Sequence, residues 1–140
     1  MRSVDATTQA IQEFRSNAKS DIPVVMLNLL RFRELAVYPE GFDAEPCSGR
    51  EAMQRYGAMA EVLVSKAGGR PIWMGSVNDA FIAPDGEVWD DVVLVYYPSR
   101  KHFIDMVESR AYQAAKPHRT AALEDSRLIE TTTLFGPGGE

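Results

Sequence analysis

His118 and Arg119 stand side by side after Pro117. An imidazole titrates near neutrality, so His118 is a candidate general acid or base. A guanidinium can clamp a carboxylate through two parallel hydrogen bonds, so Arg119 is a candidate anion site. The same pair can instead tie a helix to a sheet, with Asp125 as a partner. Asn28 lies among Met, Leu and Val, and a buried amide must find hydrogen-bond partners. It can contact a ligand, or it can bond to neighbouring backbone or water. Tyr56 lies on the apolar stripe of a predicted helix, so its hydroxyl needs a partner once buried. Trp73 shares a strand face with Gly75 and Val77, and an aromatic beside a small residue can line a pocket or fill a core. His118 is thus the catalytic candidate, and Asn28, Tyr56, Trp73 and Arg119 are the ligand-binding candidates.

Other chemistry finds less support. Cys47 precedes a predicted helix, whose N-terminus lowers a thiol pKa, but no histidine is near it in sequence. His102, between Lys101 and Phe103, reads as a solvated helix residue. Arg31 and Arg33 leave the end of a predicted strand and can meet surface acids such as Glu34 or Glu40. Two histidines and one cysteine show no metal-ligand spacing. Gly68-Gly69 follows a helix instead of opening one, so it is no phosphate loop. No cofactor is expected.

The elements that must position these residues can be read from hydrophobic periodicity. Val4, Ile11, Phe14 and Ala18 recur at helical spacing over residues 4–18. Pro23 to Phe32 is almost wholly apolar and short, which predicts a central strand covered on both faces. Strand alternation groups Met26, Asn28 and Leu30 on one face and Val25, Leu27 and Leu29 on the other. If the second face packs on helices, Asn28 faces a cavity. Residues 34–47 are irregular and carry Tyr38 and Phe42, which predicts a loop over the mouth of that cavity. Ser48-Gly49-Arg50-Glu51 has the form of a capping box. The helix it opens runs to about Lys66 and stops at Gly68-Gly69. Strands follow over residues 70–77 and 88–97, joined through Pro84-Asp85-Gly86. Ser99 can cap a helix over residues 100–108. A short helical piece at 112–115, a reset at Pro117 and a further turn or two over 118–124 lead to a last strand, 127–134.

The chain has 140 residues, with 45% hydrophobic and 25% charged. These values suit one soluble globular domain, 1–140, with an extra N-terminal helix (1–20) and a flexible tail (135–140). The net charge of -5 gives no electrostatic reason to bind nucleic acid or an anionic membrane. No apolar run reaches the roughly 18–20 residues of a transmembrane helix. The start carries no signal-peptide pattern, so the expected location is the cytoplasm.

Strand, helix, two strands, helix, strand is the split βαβ order of an α+β, ferredoxin-like domain with a four-stranded antiparallel sheet. Its strands are too apolar on both faces to leave one wet, which predicts a homodimer joined through the sheets. Several stretches carry a family resemblance: Pro23 to Phe32, Gly68-Gly69-Arg70, Val95-Tyr96-Tyr97-Pro98-Ser99-Arg100, Tyr112-Gln113-Ala114-Ala115 and His118 to Leu128. In order and spacing they resemble the domain-of-unknown-function family 1330, within the dimeric α/β-barrel superfamily. The resemblance implies a homodimer whose two sheets form a barrel around a cavity in each subunit, and it implies no established activity. Many shorter members carry a Glu just before the aromatic-Pro-Ser motif, where this chain has Tyr96. The function expected is binding or transforming a small organic molecule in the cavity without a cofactor. A non-catalytic dimeric binding or structural module is the alternative.

Overall fold

The computed structural model describes residues 1–16 and 21–140. Eight elements follow one another: α1 (Thr8–Ser16), β1 (Val24–Phe32), α2 (Gly49–Lys66), β2 (Arg70–Ser76), β3 (Asp91–Tyr97), α3 (Arg100–Val107), α4 (Arg110–Ala122) and β4 (Leu123–Thr131). The strands form one antiparallel sheet in the order β2-β3-β1-β4. This is the ferredoxin-like α+β arrangement expected from the element order.

Local chemistry sets the helix ends. Ser48 accepts from the Glu51 backbone N–H, and the Glu51 carboxylate accepts from the Ser48 N–H, so the capping box opens α2. Gly49 admits the backbone carbonyl oxygens of Arg33 and Ala122, which a Cβ there would strike at 2.1 and 2.7 Å. This close approach holds the start of α2 against the end of α4.

The first helix begins at Thr8 rather than Val4. The Val4 carbonyl accepts from Arg119, and the neighbouring Ser3 bonds to Asp125 and Ser126, so residues 3–5 are held against α4 and β4. The break expected at Lys19-Ser20, and the last two residues of the predicted helix, lie outside the described residues.

α4 is one continuous helix, with Pro117 inside it. A proline there removes one backbone hydrogen bond and costs about 3 kcal/mol in an isolated helix. Packing overrides that cost, because Ala115, Ala121 and Ala122 are fully buried. β4 begins directly at Leu123, which is also fully buried and pairs with Phe32. The strand therefore occupies 123–131 instead of 127–134.

Register assigns the two sheet faces. Met26, Asn28, Leu30, Val93, Val95, Tyr97 and Leu128 face the helices. Val25, Leu27, Leu29, Leu94, Tyr96 and Ile129 share the outer face. The main core lies on the helix side, where Val24, Met26 and Tyr97 meet Phe103, Ile104, Met106 and Tyr112. The tail is fixed rather than frayed at its end. The Tyr96 hydroxyl donates to the Glu140 carbonyl at 2.6 Å, and Gly138 is buried against Val25 and Ile72.

Candidate functional site

Between the sheet and helices α2 and α4 lies a cavity of about 560 Å³. Its floor is the sheet face of Met26, Asn28, Leu30, Val93 and Val95. Tyr56, Gly57 and Ala60 of α2 and Tyr112 and Arg119 of α4 form the roof. Four of the chain's six methionines, Met26, Met53, Met74 and Met106, line it. Their flexible thioethers make an apolar wall that can adapt to a guest.

The sheet face carrying Asn28 is itself the one covered by helices. The alternation is as expected, but the cavity lies between the sheet and its own helices; on the opposite face Val25 is covered by the C-terminal tail, and Leu27 and Leu29 are half-buried. Asn28 Nδ2 donates over 3.3 and 3.4 Å to the carbonyls of Val93 and Met26. Carbonyls only accept, so the amide nitrogen turns to them; among the described residues Oδ1 accepts no hydrogen bond, and Asn28 lines the cavity.

Tyr56 and Tyr112 meet edge to face, with hydroxyls 3.0 Å apart. Burial, reinforced by Tyr112, pushes the Tyr56 phenol well up, while the Arg119 charge works against it. Burial likewise raises Tyr97. These phenols stay protonated at neutral pH and serve as hydrogen-bonding groups, not bases. One proton bridges the Tyr56–Tyr112 pair, and the other hydroxyl hydrogen is available to a guest.

Arg119 is 8% exposed and lines the cavity. Its Nη1 donates to the Val4 carbonyl at 2.6 Å. It also borders a smaller cleft of about 300 Å³ under the N-terminal segment, which shares Met26, Phe103, Tyr112 and Leu128 with the cavity. Arg50, at the rim, is different: it pairs with Asp91 and lies over the Phe32 ring.

Two candidates from the sequence fall elsewhere. Trp73 lies on the outer sheet face, 54% exposed, with its ring over Gly75. The register shifts between Pro71 and Trp73, so Pro71 and Met74 face the cavity and Trp73 does not. Sequence alternation carries no mark of this bulge. His118 does not line the cavity either. Its Nδ1 lies 2.7 Å from the Tyr38 hydroxyl, and Tyr38 and Phe42, stacked on each other, both meet its ring edge-on. Arg55 donates to the same phenolic oxygen at 3.2 Å. Arginine cannot accept, so the Tyr38 oxygen accepts from Arg55 and makes its second bond with His118 Nδ1. Burial, and then the Arg55 charge, lower the His118 pKa.

The same contacts correct the expectation for residues 34–47. None of them lines the cavity. Tyr38 and Phe42 pack on His118, and Val37 N–H bonds to the Ala121 carbonyl, so the loop is strapped to α4 instead of covering a mouth. Arg33 pairs with Glu124 rather than Glu34 or Glu40. Sequence reasoning missed Tyr112, Met53, Met74 and Met106 as cavity residues; Met53 and Met106 recur at helical spacing, which reads as core. Among the described residues, no three His, Cys, Asp or Glu side chains are grouped as a metal site. Among the described residues, no helix is long and apolar enough to cross a membrane.

The sheet order and the helices on one face define a ferredoxin-like α+β fold, with a cavity between sheet and helices. The chain belongs to the family described as Domain of unknown function (DUF1330), whose model matches residues 47–132. It is similar to a protein of unknown function from Rhodopseudomonas palustris, with 35% identity over 97% of this chain and 100% of that one, at a TM-score of 0.87. The methylated form of the same protein gives 37% identity, 98% coverage of both chains and the same TM-score. A protein of unknown function from Bacteroides fragilis, described as dimeric and ferredoxin-like, matches at 16% identity and a TM-score of 0.50, over 78% of this chain and 94% of that one. Comparison with curated proteins gives no match.

Proposed function

We propose that the protein is a homodimer that binds a small, partly apolar organic molecule in the sheet–helix cavity, without a cofactor. The observation that carries this reading is the cavity itself. Its size lies within the usual range for small-molecule sites, and a few convergent polar groups interrupt an apolar lining. Binding is favoured over proton transfer by one feature. The cavity groups with displaced ionisation, Tyr56 and Tyr97, are displaced away from neutrality, and His118 is engaged outside it. Native mass spectrometry of gently purified protein is the test. An adduct of small-molecule mass that leaves on filling the cavity, as in Gly57→Trp, supports the reading. An adduct unaffected by that change overturns it.

The dimer reading rests on the outer sheet face. Trp73, Leu94, Leu27 and Ile129 form a continuous apolar row across all four strands, with Ile129 49% exposed. A second copy of the same sheet would cover it by a self-complementary contact. Light scattering after size exclusion should give twice the 15.6 kDa chain mass, and Leu27→Glu should return it to one chain. A wild-type monomer at micromolar concentration rejects the dimer.

A further inference from the structure

Arg119 is 8% exposed, and among the described residues no acidic side chain pairs with it. Its one hydrogen bond among those residues goes to the neutral Val4 carbonyl. The acids near it in sequence are engaged elsewhere. Glu124 pairs with Arg2 and Arg33, Asp125 pairs with Arg127, and Asp5 accepts from Thr120. Holding an unpaired charge away from water is costly, so buried guanidinium groups are normally matched by an anion. This one borders an apolar cavity of about 560 Å³.

The neighbouring groups point the same way. The Tyr56–Tyr112 pair keeps one hydroxyl proton without an acceptor, and the Arg119 charge is felt at Tyr56. A guanidinium and a phenol donor lining one cavity suit an oxyanion with two acceptor atoms. Asn28 Oδ1, on the floor, is the opposite kind of group and accepts a donor. The remaining wall is Met26, Met53, Met106, Val93, Val95 and Leu128.

Building on the binding reading above, we infer that the cavity's ligand class is an organic carboxylate. Arg119 and the free Tyr56–Tyr112 hydroxyl hold the carboxylate, the methionine-rich wall holds an apolar body, and Asn28 receives a hydrogen-bond donor on that body. Arg119 thereby sets specificity by charge. A neutral guest of the same shape leaves the guanidinium unanswered, and a cationic guest adds repulsion.

Isothermal titration calorimetry with three probes of matched shape tests this: 4-phenylbutyrate, 4-phenylbutanamide and 4-phenylbutylamine. The carboxylate should bind at least about tenfold tighter than the amide, with the amine weakest. In Arg119→Gln the carboxylate's advantage should shrink to within about threefold, while Arg119→Lys should keep part of it. Should Arg119→Gln fail to fold by circular dichroism, the wild-type ranking and the Arg119→Lys titration decide the matter alone. Equal binding of amide and carboxylate to the wild type overturns the carboxylate inference and leaves the cavity's binding role standing. Failure of all three probes to bind at millimolar concentration overturns both.

Discussion

His118 and Arg119 are adjacent on α4, yet the helix turns them onto different surfaces. A step of about 100° per residue sends one toward the loop over residues 34–47 and the other toward the cavity. At His118 the partners are close at hand: Nδ1 shares a hydrogen bond with the Tyr38 hydroxyl, Arg55 donates to the same oxygen, and two aromatic rings meet the imidazole edge-on. At Arg119 a single carbonyl is satisfied and the charge is not. The side chain that looks more chemical by type is the structural one. The one that reads as an ordinary tie between helix and sheet has unused capacity. Residue type says what a group can do, and only the inventory of its partners says what it is left free to do.

Several measurements would break or sharpen this contrast. The largest effect is expected on the cavity side from Tyr112→Ala, which removes a buried ring, its edge contact with Tyr56 and the shared hydroxyl bond. A loss of about 3–5 kcal/mol in urea denaturation is expected. A loss below about 1 kcal/mol would mean that the roof of the cavity is not part of the cooperative core.

Next comes Asn28→Ala. Its bonds to the protein are long, so its effect should appear in binding of 4-(4-hydroxyphenyl)butyrate, whose ring hydroxyl supplies a donor for Asn28 while its carboxylate is held at Arg119. A weakening of about 1–3 kcal/mol by calorimetry is expected, the usual penalty for a lost buried partner. An unchanged affinity would show that Oδ1 meets no ligand donor.

His118→Ala should cost about 1 kcal/mol of stability, the scale of one hydrogen bond and its ring contacts, and should leave probe binding unchanged. If binding fell and stability held, the assignment of the two neighbours would have to be exchanged.

The smallest effect is a pH dependence from the same residue. Folding lowers the His118 pKa, through burial first and the Arg55 charge second. The unfolded chain therefore takes up the proton more readily. This contribution to stability is complete above the unfolded value of about 6.5 and is lost as pH falls through the lower folded value. Urea midpoints measured from pH 8 down to pH 5 should decline in the wild type, and the part due to this group should vanish in His118→Phe. An identical decline in both would assign it to other groups.

Most of the fold is legible in the sequence. The apolar run of β1, the capping box of α2 and the serine cap of α3 are local signals, and each element lies where they indicate. Errors arise where long-range contacts override local preference. Pro117 looks like a stop, but buried alanines on both sides carry α4 through it. Val4 fits a helical stripe, but its carbonyl is taken by a residue far along the chain. The site was legible in part: Asn28, Tyr56 and Arg119 do share one cavity. Trp73 was not legible, because a bulge changes which face a side chain takes without leaving a sequence pattern. His118 was not, because its partners come from a loop whose path periodicity cannot trace.

One feature of α4 also bears on what changes the chain can tolerate over evolution. Leu123 is at once the cap of the helix and the first residue of β4, with no connecting loop. A single residue inserted at that joint would rotate the helix by about 100° relative to the strand, or shift the strand register and exchange its two faces. Either outcome would move Arg119 out of the cavity or bring Ile129 into it. The long connection between β2 and β3 has no such constraint, so insertions and deletions should accumulate over residues 77–90 and be purged at 122–123. A scan of single-residue insertions, read by soluble expression, would show this joint as the least permissive point in the second half of the chain.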